Sequence, residues 1–144
     1  MKNRITKRFK LIIFLVAMLV SASCQKTEGP TEQIFQSWEV TGFVSIESIT
    51  YAKSDDTPII LTLDAGNTYS LQLNTNSCGG DLLKISGLSI QFDRPTCTEA
   101  CCDSPFAERV VELLPSVSMY KVEDNTLRLS ITDWGFIECE LVEN

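Results

Sequence analysis

The chain contains no histidine, the side chain that most often serves as a general base at neutral pH. A Ser-His-Asp or Cys-His nucleophile system and a histidine-ligated zinc site therefore cannot be built from its 144 residues. Basic residues are also few: 12 Lys and Arg stand against 19 Asp and Glu, which gives a formal net charge of −7. Phosphate binding needs clustered positive charge, so we expect no binding of nucleic acid.

The sequence also lacks an apolar run long enough to span a membrane. The run at 11–20 (LIIFLVAMLV) has ten residues, whereas a transmembrane helix needs about 20. Five basic residues lie within 1–10, no acidic residue precedes Glu28, and the small residues Ser21-Ala22-Ser23 follow the apolar run. This order is typical of a secretory signal peptide. A short anchor that is never cleaved is the alternative interpretation.

A cysteine, Cys24, directly follows the small residues, and the whole segment resembles a bacterial lipoprotein signal. In that family the cysteine becomes the first mature residue and its thiol carries a diacylglycerol. The resemblance implies a signal peptide at 1–23 and a lipid on Cys24, with permanent anchoring because each buried methylene contributes about 0.8 kcal/mol. Ser21 stands where the family usually has an aliphatic residue, so ordinary signal cleavage near Cys24 is the alternative.

The predicted mature chain is strongly acidic. Cleavage before Cys24 leaves seven basic and 19 acidic residues, a formal net charge of −12. Anionic membrane surfaces repel such a chain, so we expect a polar tether at 24–35 to hold the folded domain away from the bilayer. Residues 24–28 resemble the charged stretch of some surface-exposed lipoproteins. This implies export and anchoring to the bacterial outer membrane, with the domain facing either the periplasm or the cell surface.

Residues 36–144 are predicted to form one mainly β domain. Apolar and polar side chains alternate between turn residues, most clearly in a hairpin whose two strands, 58–63 and 68–73, flank a turn. Further strands are predicted at 36–43, 82–86, 88–92, 117–122, 126–131 and 136–142, and residues 46–51 are interpreted as either a strand or an extended loop. Residues 74–81 and 94–102 are predicted to be a Gly-rich corner and a loop. Six to eight short antiparallel strands indicate a small β-barrel-like curled sheet.

One helix is predicted within this series of strands, at 105–114. Its apolar residues recur at i, i+4, i+7 and i+8, which places them on one face. They are Phe106, Val110, Leu113 and Leu114. Ser104 suits the N-cap and Pro105 the first helical position, and Pro115 is expected to end the helix.

Five motifs occur in a characteristic order along the domain. They are Trp38-Glu39-Val40, Ser77-Cys78-Gly79-Gly80, Thr98-Glu99-Ala100-Cys101-Cys102, Glu108 with Leu113-Leu114, and the series Tyr120, Val122, Asn125, Leu127 and Leu129. In this order they resemble the META (HslJ-like) domain family over 37–142, although Gly79 stands where the family has Asn. The resemblance implies a small β-barrel crossed by one helix, no agreed enzymatic chemistry, and a role near envelope stress or secretion.

Five cysteines remain after Cys24, and an exported protein is expected to oxidise them to two disulfides with one thiol left over. The META resemblance implies that Cys78 pairs with a cysteine of 97–102, and Cys102 is the predicted partner. Cys101 with Cys139 is the second predicted pair, which leaves Cys97 free. Two alternatives remain open: a thiolate site for zinc or Cu(I), and a redox-active thiol, best placed at Cys102 near the helix N-terminus.

Other side chains that could carry chemistry have simpler interpretations. The adjacent Asp55 and Asp56 lack the spaced oxygen ligands of a calcium loop. Glu138 and Glu140 share one face of the last strand, which is compatible with an acid–base pair but is more typical of a solvated face. Trp134, in a turn, is either packed or an exposed binding residue, and Trp38 is predicted to lie in the core. We therefore predict no catalytic residue, no cofactor and no metal.

Taken together, these patterns predict a non-enzymatic envelope lipoprotein with a META-like domain. It would be attached to the membrane through the lipid on Cys24 and would act as a protein-binding or envelope-stress accessory factor. The first alternative is a lipocalin-like barrel that binds a small apolar ligand. The second is a thiol-based redox or metal-binding protein.

Overall fold

The computed structural model describes residues 32–46, Lys53 and 56–143. The predicted signal peptide, Cys24 and most of the predicted tether lie outside these residues. The elements are β1 (Ser37–Ser45), β2 (Ile60–Asp64), β3 (Thr68–Gln72), β4 (Ser77–Ser86), β5 (Ser89–Phe92), β6 (Thr96–Cys97), α1 (Pro105–Leu113), β7 (Val117–Glu123), β8 (Thr126–Ile131) and β9 (Gly135–Leu141). The described residues also form two short 3-10 turns, Glu32–Ile34 and Leu114–Ser116. None of the helices among these described residues could serve as a membrane span.

Eight of these strands close into an antiparallel barrel. The strand order is β3-β2-β1-β9-β8-β7-β5-β4, and the pairing of β3 with β4 closes the ring. The two-residue strand β6 adds to β4 outside this ring. The prediction of a small antiparallel β-barrel with one inserted helix is therefore confirmed.

The barrel interior is filled by apolar side chains. In β8, Leu127, Leu129 and Ile131 are buried and alternate with partly exposed residues. All such inward positions join one hydrophobic cluster, and Trp38 and Phe92 are among its largest fully buried members. Full burial of one such side chain contributes roughly 1.5–3 kcal/mol, so this cluster is the main stabilising element of the fold.

Helix α1 packs its apolar face into the same cluster. All four predicted face residues, Phe106, Val110, Leu113 and Leu114, are buried. The Ser104 hydroxyl accepts a hydrogen bond from the Ala107 amide at 3.2 Å, as expected for an N-cap. Pro115 lies inside the 3-10 turn that follows the helix, so the chain tightens there before β7 begins.

The folded domain begins earlier than the predicted boundary at residue 36. Ile34 ends a 3-10 turn and is fully buried, and its carbonyl accepts a hydrogen bond from the Trp38 indole at 2.9 Å. A buried indole N–H needs such a partner. Because Trp38 lies in the core, this hydrogen bond holds residues 32–35 against the folded domain. The prediction that these four residues belong to a flexible tether is wrong.

The predicted Gly-rich corner is the first half of strand β4. Residues 77–81 pair along the length of β3. The glycines there make room for Tyr69, whose hydroxyl donates to the Asp93 carbonyl at 3.1 Å. A side chain at Gly80 would collide with both Tyr69 and Asp93. Glycine at position 80 therefore allows the Tyr69 and Asp93 side chains to meet across strand β4, and it does not indicate a turn.

Candidate functional site

An open apolar groove of about 610 Å³ lies where the end of β1 meets the β8–β9 hairpin. It is lined by Val44, Ser45, Ile46, Asp133, Trp134, Gly135 and Phe136. Ile46 is 83% exposed and Val44 is 50% exposed, which is unusual for aliphatic side chains so close together. The groove therefore combines a concave shape with accessible apolar surface.

The backbone at this end of the barrel holds the groove in place. Val44 lies opposite Phe136 in the β1–β9 ladder, and the Ile46 amide donates to the Trp134 carbonyl at 3.0 Å. Gly135 has φ = 141°, and a side chain there would collide with the backbone of Val44. Only glycine satisfies both conditions, so the hairpin can close tightly against β1.

Trp134 forms one wall of the groove and also contacts the core. Its ring meets Phe43 edge-on with 6.1 Å between ring centroids, and the Phe43 ring in turn packs at a tilt against Phe106 of α1, with 4.8 Å between their centroids. The Arg109 guanidinium lies 5.6 Å from the Trp134 ring centroid, within the range of a cation–π interaction. Trp134 is therefore half-buried and packed against the core, as the first of its two interpretations predicts.

The disulfides differ from the predicted pairs. Cys78 of β4 bonds to Cys97 of β6, the residue directly opposite it in the ladder, with 3.9 Å between the Cα atoms. The predicted partner Cys102 bonds instead to its neighbour Cys101. Cys78 does pair with a cysteine of 97–102, but the prediction of Cys102 is wrong because the short strand β6 was not foreseen.

Cys139 is a free thiol inside the barrel. The prediction that it bridges to Cys101 is wrong, because Cys139 is fully buried on β9 while Cys101 is exposed on a loop. Burial raises the pKa of the Cys139 thiol, and the neighbouring Glu138 carboxylate raises it further. The thiolate, the reactive form, is therefore strongly disfavoured.

A buried asparagine, Asn76, organises the loop that carries Cys101 and Cys102. Its side-chain oxygen accepts from the Ala100 amide at 2.8 Å and the Thr98 hydroxyl at 2.9 Å. Its amide group donates to the Ala100 carbonyl at 2.7 Å and to the Asp103 carboxylate at 2.6 Å. The sequence patterns do not single out Asn76, because its partners lie more than 20 residues away and only the fold brings them near.

The carboxylate of Asp103 completes this network. It accepts from the backbone amides of Thr75 at 2.8 Å and Asn76 at 3.2 Å. Burial tends to raise the pKa of Asp103, but these bonds and the one from the Asn76 side chain outweigh it, so the pKa is lowered. The charged carboxylate therefore ties the loop to the start of β4 at neutral pH.

The other candidate carboxylates do not converge on a site. Glu138 pairs with Arg128 across the β8–β9 ladder, with 3.2 Å between Oε1 and Nε, and Glu140 is exposed. Asp56 is exposed, whereas Asp55 lies outside the described residues. In the part of the chain that the structure describes, no three potential metal-ligating side chains cluster.

Neither the family models nor the curated proteins contain a match to this chain. Solved structures do share its fold. One is a DUF4847 family protein from Bacteroides vulgatus, with 14% identity and a TM-score of 0.58 over 78% of this chain and 98% of that one. Another is a protein from Burkholderia xenovorans, with 16% identity and a TM-score of 0.63 over 86% of this chain and 95% of that one. At such identities the likeness shows the barrel fold alone.

Proposed function

We propose that this chain is a non-enzymatic envelope lipoprotein whose META-like barrel binds a partner protein in the groove between β1 and the β8–β9 hairpin. The groove is the observation that carries the proposal. Exposed aliphatic side chains are normally scattered, whereas Val44 and Ile46 lie together beside two aromatic rings, Trp134 and Phe136. Aromatic residues next to accessible aliphatic surface are typical of the centre of a protein interface.

The charge of the chain indicates the chemistry of the partner. Asp133 lies in the groove itself, and the mature chain would carry a net charge of −12. Two guanidinium groups lie beside the groove's aromatic rings, Arg109 at 5.6 Å from the Trp134 centroid and Arg128 at 5.2 Å from the Phe136 centroid. Each is paired with a glutamate, Arg109 with Glu112 and Arg128 with Glu138. A segment with an apolar anchor flanked by Lys or Arg would therefore complement the site and be steered towards it.

A protein partner has more support than a small ligand held inside the barrel. A lipocalin-like binder needs an open apolar lumen, but here the inward positions contact one another in a single cluster. Trp38, Phe92 and Phe106 occupy the space that such a ligand would need. The groove, by contrast, is open to solvent along its length, as suits an extended polypeptide segment.

Replacing Ile46 with aspartate should weaken binding at the groove. The probe is a synthetic peptide with three adjacent apolar residues flanked by lysines, titrated into isotope-labelled protein and followed by backbone amide NMR. In the wild type, we expect shifts concentrated at 44–46 and 133–136. Burial of an isoleucine contributes roughly 1.5–3 kcal/mol, so the variant should bind at least about tenfold more weakly.

The matched control is Leu88→Asp, which alters an aliphatic side chain that is 63% exposed and lies outside the groove. This variant should bind the lysine-flanked peptide as the wild type does. The same peptide flanked by glutamates should bind more weakly to every form. Shifts centred outside the groove, or equal affinity of the Ile46 and Leu88 variants, would contradict the proposal.

Attachment through lipid is the second part of the proposal, and it is tested at Cys24. Wild-type protein should incorporate labelled palmitate and stay with the membrane fraction until detergent is added. Cys24→Ala should lose the label and accumulate either uncleaved or in the soluble fraction, because no acyl chain remains to be buried. The double variant Cys101→Ser/Cys102→Ser should keep the label. Palmitate retained by Cys24→Ala would refute lipidation at this residue.

A further inference from the structure

We propose that the Cys101–Cys102 disulfide is a redox-active site that exchanges with an external dithiol. The bond joins neighbouring residues on the loop before α1, and both residues are exposed. An attacking thiolate must reach a disulfide sulfur, so accessibility is the first requirement for exchange. This inference does not depend on the proposed groove binding, because none of the groove-lining residues belongs to this loop.

The position of this bond in the chain argues against a stabilising role. A disulfide stabilises mainly by closing a loop and so restricting the unfolded chain. Cys78–Cys97 spans a sequence separation of 19, whereas Cys101–Cys102 spans one and closes no loop. Its formation therefore leaves the entropy of the unfolded chain nearly unchanged, and it can open without unfolding the domain.

The loop is held in place on both sides of the bond. Ala100 is hydrogen-bonded to Asn76 through both its amide and its carbonyl, and Asp103 is bound to the same asparagine. Cys102 itself adopts φ = 76°, in the left-handed region that is uncommon for residues other than glycine. Because these anchors do not involve sulfur, the two thiols remain neighbours after reduction and can form the bond again.

The exchange consists of two thiolate attacks. A thiolate of the external dithiol attacks one of the two sulfurs, forms a mixed disulfide and releases the other cysteine as a thiolate, which takes up a proton. The second thiol of the external molecule, once deprotonated, attacks the mixed disulfide and releases the remaining cysteine. Two electrons pass to the protein, which becomes a dithiol, and the external dithiol becomes a disulfide.

The other three cysteines among the described residues are shielded from this reaction. Cys78 is only 5% exposed, and its partner Cys97 is half-buried on the edge strand β6. Cys139 is fully buried within the barrel, where its thiol cannot reach the exposed loop. Reduction is therefore confined to Cys101 and Cys102, and the barrel stays folded.

The test is a reductant titration of the full-length protein, purified in detergent without reductant. Samples equilibrated with increasing dithiothreitol are alkylated and mapped by mass spectrometry, while circular dichroism monitors the fold. Cys101 and Cys102 should become alkylated together at about tenfold lower dithiothreitol than Cys78 and Cys97, with an unchanged spectrum. Glutathione, a monothiol, should be less effective, because the released neighbouring thiolate expels it from the mixed disulfide.

Two further measurements make the result decisive. Removal of the reductant in air should restore the Cys101–Cys102 bond, and Cys101→Ser/Cys102→Ser should lose the low-reductant step while keeping the wild-type spectrum. The proposal is overturned if Cys101 and Cys102 are already free thiols in the oxidised protein. It is also overturned if they resist reduction until Cys78–Cys97 opens, or if their reduction unfolds the barrel.

Discussion

Replacing Val110 with aspartate is expected to prevent stable folding of the barrel domain. Val110 is fully buried at the centre of the helix face, between the turns that carry Phe106 and Leu113. A carboxylate at this position would lose its hydration without gaining a hydrogen-bond or ion-pair partner. This lowers the free energy of unfolding by roughly several kcal/mol. The free energy of unfolding of a small domain is only about 5–15 kcal/mol, so the substitution would remove much of it. Thermal unfolding followed by circular dichroism measures the effect.

The same substitution at Val44 provides the control. Val44 is half-exposed, so its carboxylate would remain hydrated and the domain should stay folded, with a loss of about 1 kcal/mol or less. Val110→Asp should show either no cooperative transition or a far lower midpoint. Equal melting of the two variants would mean that the helix does not bury this face.

Removing the Cys78–Cys97 disulfide is expected to have the second-largest effect on stability. The bond closes a loop with a sequence separation of 19, which the chain-entropy model values at about 3 kcal/mol. The double variant Cys78→Ala/Cys97→Ala should therefore melt roughly 10 to 20 °C below the wild type. The two-residue strand β6 should also lose protection from hydrogen exchange, since this bond joins it to β4.

The comparison is with Cys101→Ser/Cys102→Ser, which removes a bond that closes no loop. The melting temperature of this variant should stay within about a few degrees of the wild-type value. Similar losses in the two double variants would show that loop closure is not the source of the stabilisation. A larger loss on removing Cys101–Cys102 would assign that bond a structural role.

Elements with a strong local pattern were predictable from the sequence. The spacing of apolar residues at 105–114 predicted the buried helix face, and Ser104 predicted its N-cap. Strand β8 begins and ends at the predicted residues, because each of its inward positions is apolar and each outward position is polar or charged. In these segments, local preference and tertiary packing favour the same structure.

Predictions failed where the deciding partner lies far along the chain. Glycines at 79 and 80 usually indicate a turn, but here they allow Tyr69 to reach Asp93 across β4. The partner of Cys78 depended on β6, a strand of two residues that no periodicity can indicate. Asn76 was missed for the same reason, since only folding brings Ala100 to its side chain.

The sequence by itself determined the class of the fold, the placement of its one helix and the acidic character of its surface, because period, capping and charge are local or additive properties. It also predicts the signal peptide and the lipid on Cys24, which the experiment at that residue tests. Only the tertiary structure decided which cysteines pair, where the domain begins and where Trp134 meets Ile46. Barrel closure brings distant segments within contact distance, and the register that does so depends on all the strands together.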